Sequence, residues 1–176
     1  MIAYERWEAN QGEYILKILH DPWKYIESEC SKADGRETGG ILIGYYSDDR
    51  TTATVTEATA PPKDSSYGHN WFQRGVAGLK SLLARRWKNT GRRTFYIGEW
   101  HFHPIEKVVP SKDDYKQMQD ISNSTNYHCN EPIMLIIGED IIGTRPVRAF
   151  VFPHGKQPHE YHQSQWVDNF KKILEQ

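Results

Sequence analysis

His101, His103, Ser111 and Asp114 stand in the pattern H-x-H-x7-S-x-x-D, and this spacing constrains the fold more than any other feature of the chain. Residues 94–103 are rich in aromatic side chains and predict a strand. Residues two apart on a strand point the same way, so both imidazoles leave one face while Trp100 and Phe102 take the other. Pro104 cannot extend a hydrogen-bonded ladder and ends it. After a loop over residues 105–110, Ser111 reads as the N-cap of a helix, and Asp114 lies on its first turn.

Two neutral imidazoles and one carboxylate supply three corners of a tetrahedral zinc site, and the open fourth corner is what separates a catalytic site from a closed structural one. Water on such an ion ionises near pH 7, which makes hydroxide available for hydrolysis. Each half of the pattern also has an ordinary explanation. Ser-x-x-Asp before a helix is a capping box, and paired histidines on a strand can simply be packed. The complete pattern, however, arises by chance in about one chain per thousand of this composition, which favours the metal reading.

Upstream, Glu37 precedes Thr38-Gly39-Gly40-Ile41-Leu42-Ile43-Gly44-Tyr45, an apolar run whose glycines suit a buried strand approached closely by other backbone. Together with the H-x-H-x7-S-x-x-D set, this glutamate resembles the motif of the JAMM, or MPN-plus, metallopeptidases (Mov34/PAD-1, JAB), from the first helix to the strand after the metal helix. The resemblance implies a single-domain α/β fold over residues 1–176, an MPN (cytidine-deaminase-like) sandwich with a central mixed sheet flanked by helices. It implies that His101, His103 and Asp114 hold one zinc ion, that Glu37 activates water and that Ser111 donates to the oxyanion. The implied substrate is an isopeptide or peptide bond after the C-terminus of a ubiquitin-like protein or its conjugate. Among bacterial members the chain looks most similar to the compact isopeptidases of CD-NTase antiphage operons, where the conjugated partner would be a nucleotidyltransferase. Two other readings share the fold: a peptidase that processes sulfur carriers, and a non-catalytic MPN scaffold, against which the intact ligand set argues.

Charge and composition narrow the partners. A net charge of −1 and a pI near 6.7 leave no overall basic field for nucleic acid or an anionic membrane. The first ten residues lack the apolar core of a signal peptide, and no run reaches the ~18 apolar residues of a membrane helix; a cytoplasmic location is the expectation. Cys30 and Cys129 are too few for a disulfide framework and are expected to be reduced. Arg85, Arg86, Lys88, Arg92 and Arg93 read as cations complementing a helix C-terminus. His154, His159 and His162 read as turn residues.

The remaining pattern predicts a strand over 14–19, a helix capped at Asp21-Pro22 and ended by Ala33-Asp34-Gly35, and a strand over 52–59. A loop is expected over 60–70 and an amphipathic helix over 71–88. Strands over 132–137 and 147–152 and a closing helix over 163–174 complete the reading. Glu99 should point with the histidines and act on them from behind.

Overall fold

The computed structural model describes residues 4–105 and 108–166. Strands β1 (Tyr4–Ala9) and β2 (Tyr14–Leu19) lead into helix α1 (His20–Lys32), followed by β3 (Thr38–Tyr46) and β4 (Thr52–Ala58). Two short strands, β5 (Ser66–Tyr67) and β6 (Phe72–Gln73), precede α2 (Leu79–Asn89) and β7 (Phe95–Phe102). Helix α3 (Lys112–Asn123), β8 (Ile133–Ile137), β9 (Val147–Val151) and β10 (His159–Trp166) complete the order. The chain is thus α/β, with three α-helices among the described residues and a mixed sheet.

That sheet is not the open layer of the expected sandwich. It closes into a barrel in the order β1-β10-β9-β8-β7-β3-β4-β2. The barrel closes through β1 and β10, strands that sequence periodicity does not announce: β1 pairs antiparallel with both β2 and β10, and β2 pairs parallel with β4. Closure removes free edges and satisfies backbone groups that an open sheet would leave to solvent.

The sheet buries both of its faces, so β8 is apolar at every position. One face, with Trp7, Leu16, Leu42, Trp100, Phe102 and Leu135, packs on Trp23, Ile26 and Cys30 of α1. The other face, with Ile41, Ile43, Tyr96, Met134 and Ile136, is covered by Met118 and Ile121 of α3 and by Leu79, Leu82 and Leu83 of α2. Burial on two faces explains why these strands read as continuous apolar runs and not as alternating ones.

Four local expectations need correction, the simplest being His159 and His162, which are expected as turn residues and lie in β10. Helix α1 begins at His20, with Leu19 at its N-cap and no side-chain cap bond, so Asp21 belongs to the first turn. The helix expected over 71–88 begins only at Leu79, because Gly78 adopts φ 78° at its N-cap, while Phe72 pairs with Tyr67 across a hairpin. The closing helix expected over 163–174 is contradicted at its start, where residues 163–166 belong to β10; residues 167–174 lie outside the described residues. In β10 the antiparallel register with β1 and β9 overrides helical spacing.

Candidate metal centre

Strand β7 carries the centre, and its phase is set by a bulge. Leu42 of β3 pairs with Gly98 and Ile43 with Tyr96, so Ile97 is the extra residue. An extra residue inverts the alternation downstream: Tyr96, Glu99, His101 and His103 therefore share the face that α3 covers, while Ile97, Trp100 and Phe102 turn toward α1. The bulge requires glycine at 98, where φ is 157° and a Cβ would stand 2.0 Å from the carbonyl oxygen of Ile133 in the parallel neighbour β8.

Helix α3 brings the carboxylate. Ser111 is its N-cap: the hydroxyl accepts the Asp114 N–H at 3.0 Å and gives its own proton to Asp114 Oδ2 at 2.7 Å, and the Ser111 N–H donates to the same oxygen at 2.7 Å. The capping box and the proposed site are one structure. Asp114 Oδ1 lies 3.0 Å from His101 Nδ1, and Asp114 Oδ2 lies 3.9 Å from His103 Nε2. One ligand atom from each of the three residues falls within 4.8 Å of the others. Two ligands about 2.0 to 2.1 Å from a tetrahedral zinc stand roughly 3.3 Å apart, so the donor set and its spacing fit a small divalent cation. Among the described residues this is the sole such cluster of histidine, cysteine and acidic side chains.

The charges are those of a site prepared for a cation. Burial of His101 opposes its protonation, but the carboxylates of Asp114 and Glu99 outweigh it and raise the imidazole to about 9. Burial likewise works against ionised Asp114, yet the hydrogen bond and charge of His101 and the two bonds from Ser111 hold it down at about 2. His103 is lowered, chiefly by burial. At neutral pH the metal-free His101 thus carries the extra proton of an imidazolium, and metal binding would release it.

Glu37 lies just before Thr38, which pairs with Phe102; β3 therefore delivers it beside the end of β7, which His103 directly follows. Burial, reinforced by the negative charge of Asp114, raises its carboxyl to about 7, against a smaller opposing pull from His101. Gly39, two residues further on, pairs with His101, and a Cβ there would meet the Trp100 carbonyl oxygen at 2.4 Å and Phe72 at 2.9 Å. Phe72 sets its ring edge-on to His101, centroids 5.7 Å apart.

The structure brings His101, His103, Asp114 and Ser111 together, with Glu99 beside His101; Phe72, Arg74, Tyr96 and Gln117 also meet there and were not among the expected residues. The buried Glu99 carboxylate accepts from Arg74 Nε and Nη2 at 3.0 and 2.8 Å, from the Tyr96 hydroxyl at 3.2 Å and from Gln117 Nε2 at 2.8 Å. Gly75 and Gly78, both inside the expected helix, were the available signal that residues 72–74 are not helical.

A buried two-histidine, one-carboxylate cluster, with a strand carrying the histidines and a helix N-terminus carrying the aspartate, defines a candidate metal-dependent hydrolase centre. The chain matches the family model of prokaryotic homologs of the JAB domain over residues 26–152, and it belongs to that family. It is 48% identical over 145 residues to a CD-NTase/cGAS isopeptidase of Enterobacter hormaechei subsp. hoffmannii (strain UCI 50), covering 82% of this chain and 79% of the relative. A probable metalloprotease y4qB of Sinorhizobium fredii (strain NBRC 101917 / NGR234) is 29% identical over 132 residues, covering 69% and 76%. The solution structure of protein DSY2949 from Desulfitobacterium hafniense superimposes with a TM-score of 0.57 at 17% identity, over 83% of this chain and 88% of that one; that likeness concerns the fold. No helix among the described residues is long and apolar enough to cross a membrane.

Proposed function

We propose that this chain is a zinc-dependent isopeptidase that cuts after the C-terminus of a ubiquitin-like modifier and reverses E1–E2-like conjugation, the conjugated target being a nucleotidyltransferase of antiphage defence. The observation that carries the reading is the convergence of His101, His103 and Asp114 on one point, beside a carboxyl group raised to about 7. The relative named CD-NTase/cGAS isopeptidase supports the bond type and the conjugated partner.

His101, His103 and Asp114 would hold one zinc ion, which when bound supplies Lewis acidity and lowers the pKa of water to about 7. Glu37 takes a proton from the attacking water and delivers it to the departing lysine amine. A carboxyl group near pH 7 suits both directions of that transfer. Ser111 turns its hydroxyl from Asp114 toward the carbonyl oxygen as negative charge builds there, adding one donor in a site where such bonds are strong.

Purified protein should contain about one zinc per chain and should cut a fusion between a folded ubiquitin-like protein and its target directly after the modifier's tail, as read by mass spectrometry. A chelator should abolish cutting and added zinc should restore it. Cleavage at scattered sites in unfolded protein, equal rates on the bare tail peptide, or full activity in the chelator would overturn the proposal.

A further inference from the structure

The strongest unassigned feature of the molecule is an ion pair hidden behind the metal cluster. Glu99 is fully buried and the Arg74 side chain is 7% exposed. Burying two charges is costly unless geometry and hydrogen bonding compensate, and here both do. The guanidinium grips one carboxylate oxygen through Nε and Nη2 and donates to the Gly75 carbonyl through Nη1. Tyr96 adds to that same carboxylate oxygen, and Gln117 of α3 occupies the other. One carboxylate thus joins the β5–β6 hairpin, the metal strand and the metal helix.

Glu99 also faces His101. Its Oε2 lies 3.6 Å from His101 Nε2, beyond hydrogen-bond length, and this buried nitrogen has no other partner among the described residues. The opposite ring nitrogen, Nδ1, is the one turned toward Asp114. A histidine that ligates metal through one nitrogen commonly presents the other to a carboxylate, which fixes its tautomer and ring angle. Glu99 stands where that carboxylate is needed, because it lies two residues before His101 on the same strand.

We infer that Arg74 is a positioning residue of the metal centre: by clamping Glu99 it holds the carboxylate against His101 and fixes that imidazole for ligation. The same clamp seats Phe72, two residues earlier in the chain, against the His101 ring. Arg74 touches neither the ion nor the substrate. Its influence passes through Glu99, so it should appear in metal affinity before any turnover is measured. This inference rests on the metal-centre reading above, and its test separates the two.

Zinc affinity is measured by competition with a chelating dye in wild type, Arg74→Lys and Arg74→Met, each shown to be folded by circular dichroism at the temperature used. Wild type should bind about one zinc. Arg74→Met, which strands the Glu99 charge, should bind roughly 10 to 100 times more weakly, the loss typical of supporting partners behind metal ligands. Arg74→Lys keeps the charge but lacks the two-pronged grip and should fall between them. Affinities within twofold of wild type in both variants would overturn the inference while leaving the metal centre standing. If Arg74→Met does not fold, Arg74→Lys decides, and wild-type affinity there overturns it. Absence of zinc binding in wild type would instead sink the metal-centre reading, and this one with it.

Discussion

Replacing Glu5 with glutamine should make the protein more stable at pH 8 than at pH 5 relative to wild type. Glu5 lies on β1 with 4% of its surface exposed, and its Oε2 has no hydrogen-bond partner among the described residues. It lines a cavity of about 490 Å³ with Trp7, Trp23, Glu27 and Arg145, on the face of the sheet opposite the metal cluster. Burial raises its carboxyl to about 7; the neighbouring Trp7 indole pulls it back, Glu27 pushes it further up and Lys24 opposes that. The folded state therefore holds a proton that the unfolded chain releases near the ordinary carboxyl value of 4.5. Stability is greatest below that lower value and is lost as pH rises toward 7, because the folded state binds more protons across this window. The separation is worth about 3 kcal/mol in full, of which roughly 2.5 kcal/mol falls between pH 5 and pH 8.

Glutamine keeps the shape without the charge, so the gap between variant and wild type should widen by that amount. Urea unfolding followed by tryptophan fluorescence at both pH values measures it, and in melting temperature the change is about 5 to 10 °C for a chain of this size. Groups that titrate in both proteins, the metal ligands included, cancel in the difference. A gap that stays constant with pH, or a variant that loses ground at pH 8, would refute the reasoning.

Glu37→Ala should retain the wild-type zinc content while hydrolysis of a modifier fusion drops by about 10² to 10⁴, the share of a general acid–base group; full activity in that variant would remove Glu37 from the chemistry. His103→Ala should lose the metal itself, so elemental analysis that finds equal zinc in both proteins would break the ligand assignment. Gly98→Ala forces a Cβ into the Ile133 carbonyl and should cost about 3 kcal/mol by urea unfolding, whereas a loss under 1 kcal/mol would mean that the bulge shifts to accommodate it.

The site was legible in the sequence where its members are close along the chain. Strand period places His101 and His103 together, and the same Ser-x-x-Asp spacing that caps a helix sets Asp114 beside them, because both signals are local consequences of backbone geometry. Thr38 to Tyr46 could be read as a buried strand for a similar reason: an apolar run needs no partner to identify it. Only the tertiary structure decided the rest. The barrel closes through β1 and β10, whose polar, alternating residues become strands by pairing with each other and with their neighbours. The bulge at Ile97 is invisible in the strand period, and it is what brings Tyr96 onto the face that Glu99 and the histidines share. Arg74 reaches Glu99 across 25 positions, from a hairpin that helical periodicity concealed. Local preference is written in neighbouring residues, whereas the phase of a strand and the pairing of two buried charges depend on contacts between segments that are distant until the chain has folded.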